Sequence, residues 1–362
     1  MVGPEAKMCK HLSVSATRSP YLIEIGKSVS DIVSNINDIW IVDRNITAQL
    51  PVIEKIIYID ASEEKKSLET CIEVLTQMKS LGANKDSSLI AVGGGVIQDI
   101  ATLSASLYMR GISWKFVPTT KMAQLDSCIG GKSSINLSGI KNLIGNIYPP
   151  SHVIVDFQFD KTLSREAQVA GYVEALKISF ARGDTYFNKH LKIANSYTDL
   201  EGISQLELCF LVLDHKKHFI EEDEKDLGVR QLLNFGHTYG HALESASKYR
   251  FHHGIAIGLG MLMALDHPLS INNALSEKLK KTIIVLLKHA GLESIMALSE
   301  ISSGDFYRAF GEDKKHSDSN HNLILYTQNG LAKVSIPKNA NQMGWVISSF
   351  ESVRKDLLSE LR

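Results

Sequence analysis

Residues 88–99 read SLIAVGGGVIQD. A buried-strand pattern, 88–92, runs straight into Gly93, Gly94 and Gly95, and helical character follows. Glycine lets the backbone turn sharply and lets amide N–H groups approach an anion closely. A helix opening at such a turn offers the positive end of its dipole to a pyrophosphate. The turn is not the G-x-G-x-x-G fingerprint, because Gln98 stands where a third spaced glycine would fall. Tight strand–helix turns also occur without a ligand, so the turn permits nucleotide binding without requiring it.

Outward from this turn, strand signals recur at 21–25, 38–42, 55–59, 114–117 and 153–155. Residues 66–81 place Leu68, Ile72, Leu75 and Met78 on one helical face, and 99–109 reads as a helix rich in small residues. Strands alternating with helices predict a mainly parallel sheet covered by helices, a Rossmann-like α/β domain over 1–160. Beyond about residue 163 the pattern turns helical, at 165–182, 205–219, 232–249, 254–265 and 277–290. A hairpin is expected at 322–326 and 332–336 around Asn329-Gly330. The predicted fold class is therefore α/β plus α, with a mostly helical second domain over 161–362.

The chain has 362 residues, 22% charged and 44% hydrophobic, as in an ordinary globular protein of two cores. A net charge of −1 gives no broad basic surface for nucleic acid or an acidic membrane, so any anion site must be a local cluster of cations. Cys9, Cys71, Cys128 and Cys209 are scattered, with no C-x-x-C spacing for a thiolate zinc site and too few for a disulfide framework. Residues 1–10 lack the apolar core of a signal peptide, and no run of about 18 apolar residues predicts a membrane span. The expected location is the cytoplasm.

The segment LLNFGHTYGHALE sets His237 and His241 four residues apart, on one helical face. His252, His253 and Gly254 open the next apolar helix. Upstream, GYVEALK places Glu174 and Lys177 on one face of an apolar stretch, where a carboxylate is costly to bury unless a cation or a metal meets it. One carboxylate and two imidazoles suit a catalytic zinc with positions open to substrate. Two partly buried histidines satisfying each other would account for the H-x-x-x-H pair alone, and ligand chemistry does not choose which two histidines join Glu174.

A third group of residues suits an anion. Asp126 leads to Gly130-Gly131-Lys132, a glycine pair beside a lysine. Lys141-Asn142 follow, Lys216, Arg230 and Asn234 precede the histidine helix, and Asp313-Lys314-Lys315 come late. Singly, each reads as a solvated surface residue; only a shared site makes them functional.

These motifs occur in the order of a known family. The stretch from GGGVIQDIATLSASLYMRG through VPTTKMAQLDSCIGGKSSINLSGIKNLIGNIYPP resembles 3-dehydroquinate synthase. GYVEALK, DEKDLGVRQLLNFGHTYGHALE, HHGIAIGLGM and the late DKK do so too, across roughly residues 40–330. The resemblance implies the dehydroquinate synthase-like fold. It also implies closure of 3-deoxy-arabino-heptulosonate 7-phosphate to 3-dehydroquinate with loss of phosphate. NAD would be used and restored within the turnover, and zinc or cobalt would lower the pKa of a substrate hydroxyl.

Carried over by position, the resemblance implies metal ligation by Glu174, His237 and His253. It implies substrate and phosphate contacts at Asp126, Lys132, Asn142, Lys177, Lys216, Arg230, Asn234 and His241, with one of Lys314 and Lys315. NAD contacts fall on Asp43, Glu63, Lys66, Gly94, Gly95, Asp99, Thr119 and Thr120. Arg110 matches an arginine that reaches a neighbouring subunit's phosphate site, which implies a homodimer.

Four departures mark a divergent member. Ile255 stands where the family has an acidic residue, ALKIS where it often has VIKYG, Gln98 where it has glycine, and Ser133-Ser134 where it has Thr-Gly. None removes an implied ligand. Relatives that cyclise sedoheptulose 7-phosphate or glucose 6-phosphate usually alter the positions of Lys216, Arg230 or Asn234. This chain keeps all three, which implies a carboxylated heptulosonate or its 4-amino analogue. A polyol dehydrogenase on the same fold has less use for Lys132, Lys216 and Arg230.

Overall fold

The computed structural model describes residues 9–46, 50–138, 140–291 and 293–360. Residues 1–8 of the stretch read for a leader lie outside the described residues. The chain forms two compact units, residues 1–163 with 205–225, and residues 164–204 with 226–362.

The first unit is built on β1 (Lys10–Val14), β2 (Tyr21–Ile25), β3 (Ile39–Asp43), β4 (Ile56–Ile59), β5 (Ser88–Gly93), β6 (Ser113–Pro118) and β9 (His152–Val155). They form one sheet in the order β1-β2-β9-β6-β5-β3-β4, parallel throughout except for β1 against β2. β5 is buried along its whole length and β3 along all but its last residue, as expected for central parallel strands covered on both faces. Helices α1 (Leu68–Ser80) and α2 (Gly95–Leu107) follow β4 and β5, and a hairpin of β7 (Lys132–Leu137) and β8 (Ile140–Ile147) precedes β9. α2 begins at Gly95, earlier than the expected 99, because the glycine turn passes directly into the helix.

The strand order positions a ligand crevice. From β3 the chain moves outward to β4, and from adjacent β5 it moves the opposite way to β6. The carboxyl ends of β3 and β5 are therefore a topological switch point, where open α/β sheets leave a crevice. Asp43 closes β3, and Gly93, Gly94 and Gly95 close β5.

A single cut near residue 160 does not describe this division. Helix α5 (Gln205–Glu222) packs with the first unit, although α3 (Arg165–Arg182) and α4 (Asp184–Ile193) precede it in the second. Buried Lys121 donates to Gln205 Oε1 at 2.9 Å, and Lys216 Nζ pairs with Asp126 Oδ1 at 2.8 Å. A charged core residue rarely stays buried without such partners, and no spacing rule in the sequence shows them.

The second unit continues with α6 (His237–Ala246), α7 (His253–Asp266), α8 (Ala274–Ala290), a short α9 (Glu293–Met296), α10 (Ser303–Gly311), the β10–β11 hairpin (Asn320–Thr327 and Gly330–Pro337) and α11 (Ala340–Glu360). The single helix expected over 232–249 is two elements, a 3₁₀ turn (Val229–Asn234) and α6. Gly236, with φ +79°, separates them and lets His237 open a new helix. Among the described residues no single helix is long and apolar enough to cross a membrane.

α3 and α7 approach backbone to backbone. A Cβ on Gly254 would lie 2.1 Å from the Ala170 carbonyl oxygen and 2.5 Å from its Cα. Gly254→Ala must therefore push the helices apart. The expected result is a loss of roughly 3 kcal/mol in urea unfolding, at the upper end of overpacking costs.

Two buried histidines contribute to the acid sensitivity of this unit. Burial lowers the pKa of both His267 and His321 to about 4 from an ordinary 6.5. The folded state binds their protons less readily than the unfolded chain, so the stability they allow is present above about pH 6.5 and is lost as pH falls toward 4. Integrating that shift gives a loss of about 2 kcal/mol per histidine by pH 5. Urea midpoints at pH 7 and pH 5 measure it, and the double variant His267→Gln/His321→Gln flattens the dependence.

Candidate active site

In the second unit the metal reading acquires geometry. Glu174 and Lys177, one turn apart on α3, are both buried, and the Lys177 ammonium donates to Glu174 Oε2. The other oxygen, Oε1, is buried and accepts no hydrogen bond among the described residues. His237 Nε2 faces it at 3.9 Å and His253 Nε2 at 3.8 Å. The three donor atoms lie within 4.8 Å of one another. A buried carboxylate oxygen without a donor is costly, and a divalent cation among these three atoms removes that cost. Each imidazole's other nitrogen is engaged: His237 Nδ1 lies 3.4 Å from the Phe235 carbonyl and His253 Nδ1 3.2 Å from Glu244 Oε1. Ligating histidines characteristically have this outer partner.

Electrostatics agree with a ligand role for His237. Burial, then the Lys177 charge, hold it well below its ordinary pKa, so its lone pair is available at neutral pH. His253 differs: burial lowers its pKa, but the Glu244 hydrogen bond and the Glu244 and Glu174 charges outweigh burial and raise it.

His241, on the same helix as His237, packs beside both histidines of the trio but has partners of its own. Its Nδ1 lies 3.5 Å from Asp313 Oδ2 and 3.4 Å from Lys315 Nζ. Burial alone would raise the pKa of Asp313, but hydrogen bonds from His241 and Lys315 hold it well below the usual carboxylate range. Of the two late lysines, Lys315 is the one beside His241. Both line a cavity of about 310 Å³ with Asn234, Gln231, Thr238 and Lys333. Arg230 is buried in the turn that leads to Asn234.

In the first unit, Asp126 sits on a π-helical turn (Ala123–Ser127), a distortion common at functional sites. Lys216 holds it through both the carboxylate and the Asp126 carbonyl, the latter at 2.6 Å. Gln98, the residue in the family's glycine place, fixes that turn: its Nε2 donates to the Ser127 carbonyl at 2.7 Å, and Ser127 Oγ donates to its Oε1 at 2.6 Å. Lys132 is exposed at the start of β7, and Arg110 is exposed in the turn after α2 with φ +67°.

Residues assigned to NAD and to substrate meet in one network of that unit. Lys66 Nζ lies 2.8 Å from Asp99 Oδ2 and donates to Asn142 Oδ1 at 2.7 Å. Ser134 donates its N–H to Asp99 and its hydroxyl to Asn142. Asn136 joins Glu63 to the Asn142 N–H. Burial raises the Asp99 pKa, and Lys66 offsets this only in part. At the switch point, a Cβ on Gly94 would lie 2.8 Å from Thr120 Cγ2, whereas one on Gly95 would meet only open space. The N-cap of α2 is Gly94, which has no side chain to occupy the first amides of the helix. Thr119 N–H donates to the Gly93 carbonyl, which ties the β5 and β6 ends together, and Thr120 Oγ1 accepts from Ala123 N–H at the start of the next turn.

The sequence gives Glu244 and Asn136 no role, and it shows Asp313 only beside two lysines and Ser134 only as a departure from the family pattern. Glu244 had a usable signal: it lies seven residues past His237 and three past His241, on the helical face of both.

A switch-point crevice in the first unit has the form of a dinucleotide site, and the carboxylate–imidazole donor set in the second has the chemistry of a divalent-metal site. Comparison with known proteins makes the assignment specific. Residues 56–170 match the 3-dehydroquinate synthase N-terminal family model, and residues 171–316 match its C-terminal model. A Streptococcus pyogenes protein named 3-dehydroquinate synthase is 34% identical over 281 residues, covering 77% of each chain. The fold is that of 2-deoxy-scyllo-inosose synthase, solved with carbaglucose-6-phosphate, NAD+ and Co2+ (TM-score 0.79, 21% identity, 95% of this chain and 99% of that one). It is also that of 2-epi-5-epi-valiolone synthase from Streptomyces hygroscopicus, solved with NAD+ and Zn2+ (TM-score 0.72, 20% identity, 94% and 97%). The chain belongs to the 3-dehydroquinate synthase family.

Proposed function

We propose that the protein converts 3-deoxy-arabino-heptulosonate 7-phosphate to 3-dehydroquinate and phosphate, with NAD and one divalent ion, Zn2+ or Co2+. The observation that carries this reading is the unpartnered Glu174 Oε1 facing the Nε2 atoms of His237 and His253, in a chain of this family. When bound, NAD supplies a hydride acceptor and donor and the metal a Lewis acid for a substrate hydroxyl.

In the first unit, Gly94, Gly95, Thr119 and Thr120 form the pyrophosphate end of the dinucleotide site, and Asp43 meets the ribose hydroxyls. Glu63, Lys66 and Asp99 hold its inner edge. Lys132, Asn142 and Lys216 take substrate oxygens there, with Asp126 keeping the Lys216 ammonium in place. In the second unit, Glu174, His237 and His253 hold the metal, and Lys177 neutralises the second oxygen of Glu174. Arg230, Asn234 and Lys315 bind anionic oxygens. With Nδ1 engaged by Asp313 and Lys315, His241 has Nε2 for a phosphate oxygen or a proton.

Retention of Lys216, Arg230 and Asn234 supports a carboxylated substrate, because two cations and an amide donor at those positions suit a substrate carboxylate. The protein acts as a cytoplasmic homodimer on this reading, with Arg110 reaching the partner's phosphate site. The exposed apolar side chains of Leu107 and Met109 beside Arg110 suit a covered surface. Incubation with the heptulosonate phosphate, NAD and Co2+ tests the reaction class. Phosphate release without net NADH supports the cyclase, and NADH accumulation with a simple polyol supports a dehydrogenase instead.

A further inference from the structure

His253 is bracketed by two carboxylates on opposite ring nitrogens. Nδ1 lies 3.2 Å from Glu244 Oε1, and Nε2 lies 3.8 Å from Glu174 Oε1. A neutral imidazole has one N–H and one lone pair, and an ionised carboxylate only accepts. A metal-ligating imidazole is neutral, and in that state the closer contact to Glu244 places the proton on Nδ1 and leaves the lone pair on Nε2.

We propose that Glu244 is a positioning residue: it fixes His253 as the Nδ1–H tautomer and aims Nε2 at the ion shared with Glu174 and His237. This rests on the reading of those three residues as the metal donors. His237 has the same arrangement, with the Phe235 carbonyl as its acceptor. A carbonyl on the adjoining backbone cannot be removed by substitution, whereas the Glu244 carboxylate can, so Glu244 is the adjustable element of the site.

The inference also decides between two overlapping donor sets. His241, Glu244 and His253 likewise bring donor atoms within 4.8 Å of one another. That second set needs either the His253 Nδ1 lone pair, which protonation withdraws, or the Nε2 lone pair already aimed at Glu174. One ion per chain follows, with Glu244 outside the coordination sphere.

The test uses full-length protein stripped of metal and titrated with Co2+ against a chromophoric chelator, reading Kd, stoichiometry and the visible Co2+ spectrum. The wild type is expected to bind one ion per chain. Glu244→Ala is expected to weaken binding by roughly 10- to 100-fold with an altered Co2+ spectrum. Glu244→Gln, which keeps an acceptor at the same reach, is expected to bind with intermediate affinity. Circular dichroism of the metal-free variants checks folding, and if Glu244→Ala does not fold, the Glu244→Gln affinity decides. An unchanged Kd and spectrum in the folded variants would overturn the proposal. So would two ions per chain with the second lost in Glu244→Gln, because Glu244 would then be a ligand. Wild-type affinity in His237→Ala is a separate result, which removes the underlying donor assignment instead.

Discussion

Glu174→Ala is expected to destabilise the metal-free protein by about 3–5 kcal/mol, the cost of breaking a buried ion pair from one side. Lys177 is only 3% exposed, and the substitution takes away the carboxylate that its ammonium meets. The double variant Glu174→Gln/Lys177→Met removes both charges and is expected to recover most of that loss. Urea midpoints of the wild type, Glu174→Gln, Lys177→Met and the double variant give the coupling directly. Function does not recover with stability. Removing an outer partner of a ligand costs about 10–100-fold in metal affinity, and removing the carboxylate itself is expected to cost more than 100-fold. A double variant that is stable yet binds no Co2+ separates the two roles of Glu174.

Lys216→Met is the second large effect. The ammonium is buried and holds Asp126 by both side chain and backbone. On the proposed reading the ammonium also meets substrate, and truncating one partner of such a buried charged contact costs about 2–5 kcal/mol, so kcat/KM for phosphate release is expected to fall roughly 30-fold to several thousand-fold. Lys216→Arg keeps the charge but changes a point donor into a planar fork, and is expected to restore only part of the rate. Full activity in Lys216→Met would remove Lys216 from the substrate set and leave it a structural partner of Asp126.

The central sheet was legible because β3 and β5 are continuous apolar runs, and the glycine turn marks where β5 ends. Helix ends marked by glycine were less so: α2 starts at Gly95 inside the turn, and Gly236 divides what periodicity joins. Helix α11 escaped notice, although its 21 residues bury Val346, Phe350, Val353 and Leu357 along one side. Serine, asparagine and glycine through its first half dilute the apolar stripe.

The candidate site followed the same division. Glu174 stood out because a carboxylate in an apolar helix needs a partner, but ligand chemistry alone could not choose among four histidines. The choice depends on how α6 and α7 present their ring nitrogens to α3, a tertiary fact. For the same reason Asp313 was read only as a neighbour of two lysines, whereas it holds Lys315 beside His241. Gln98 and Ile255 were noticed as departures. The structure gives Gln98 work in fixing the Asp126 turn, while Ile255 is a buried apolar residue of α7.

The most direct measurement of the central claim is phosphate release from four substrates by the protein with NAD and Co2+: 3-deoxy-arabino-heptulosonate 7-phosphate, its 4-amino analogue, sedoheptulose 7-phosphate and glucose 6-phosphate. The account predicts the highest kcat/KM with the heptulosonate phosphate and strong discrimination against the two sugars that lack a carboxylate. Release from sedoheptulose 7-phosphate or glucose 6-phosphate, with none from the heptulosonate, by protein shown to hold NAD and one metal ion, would contradict it.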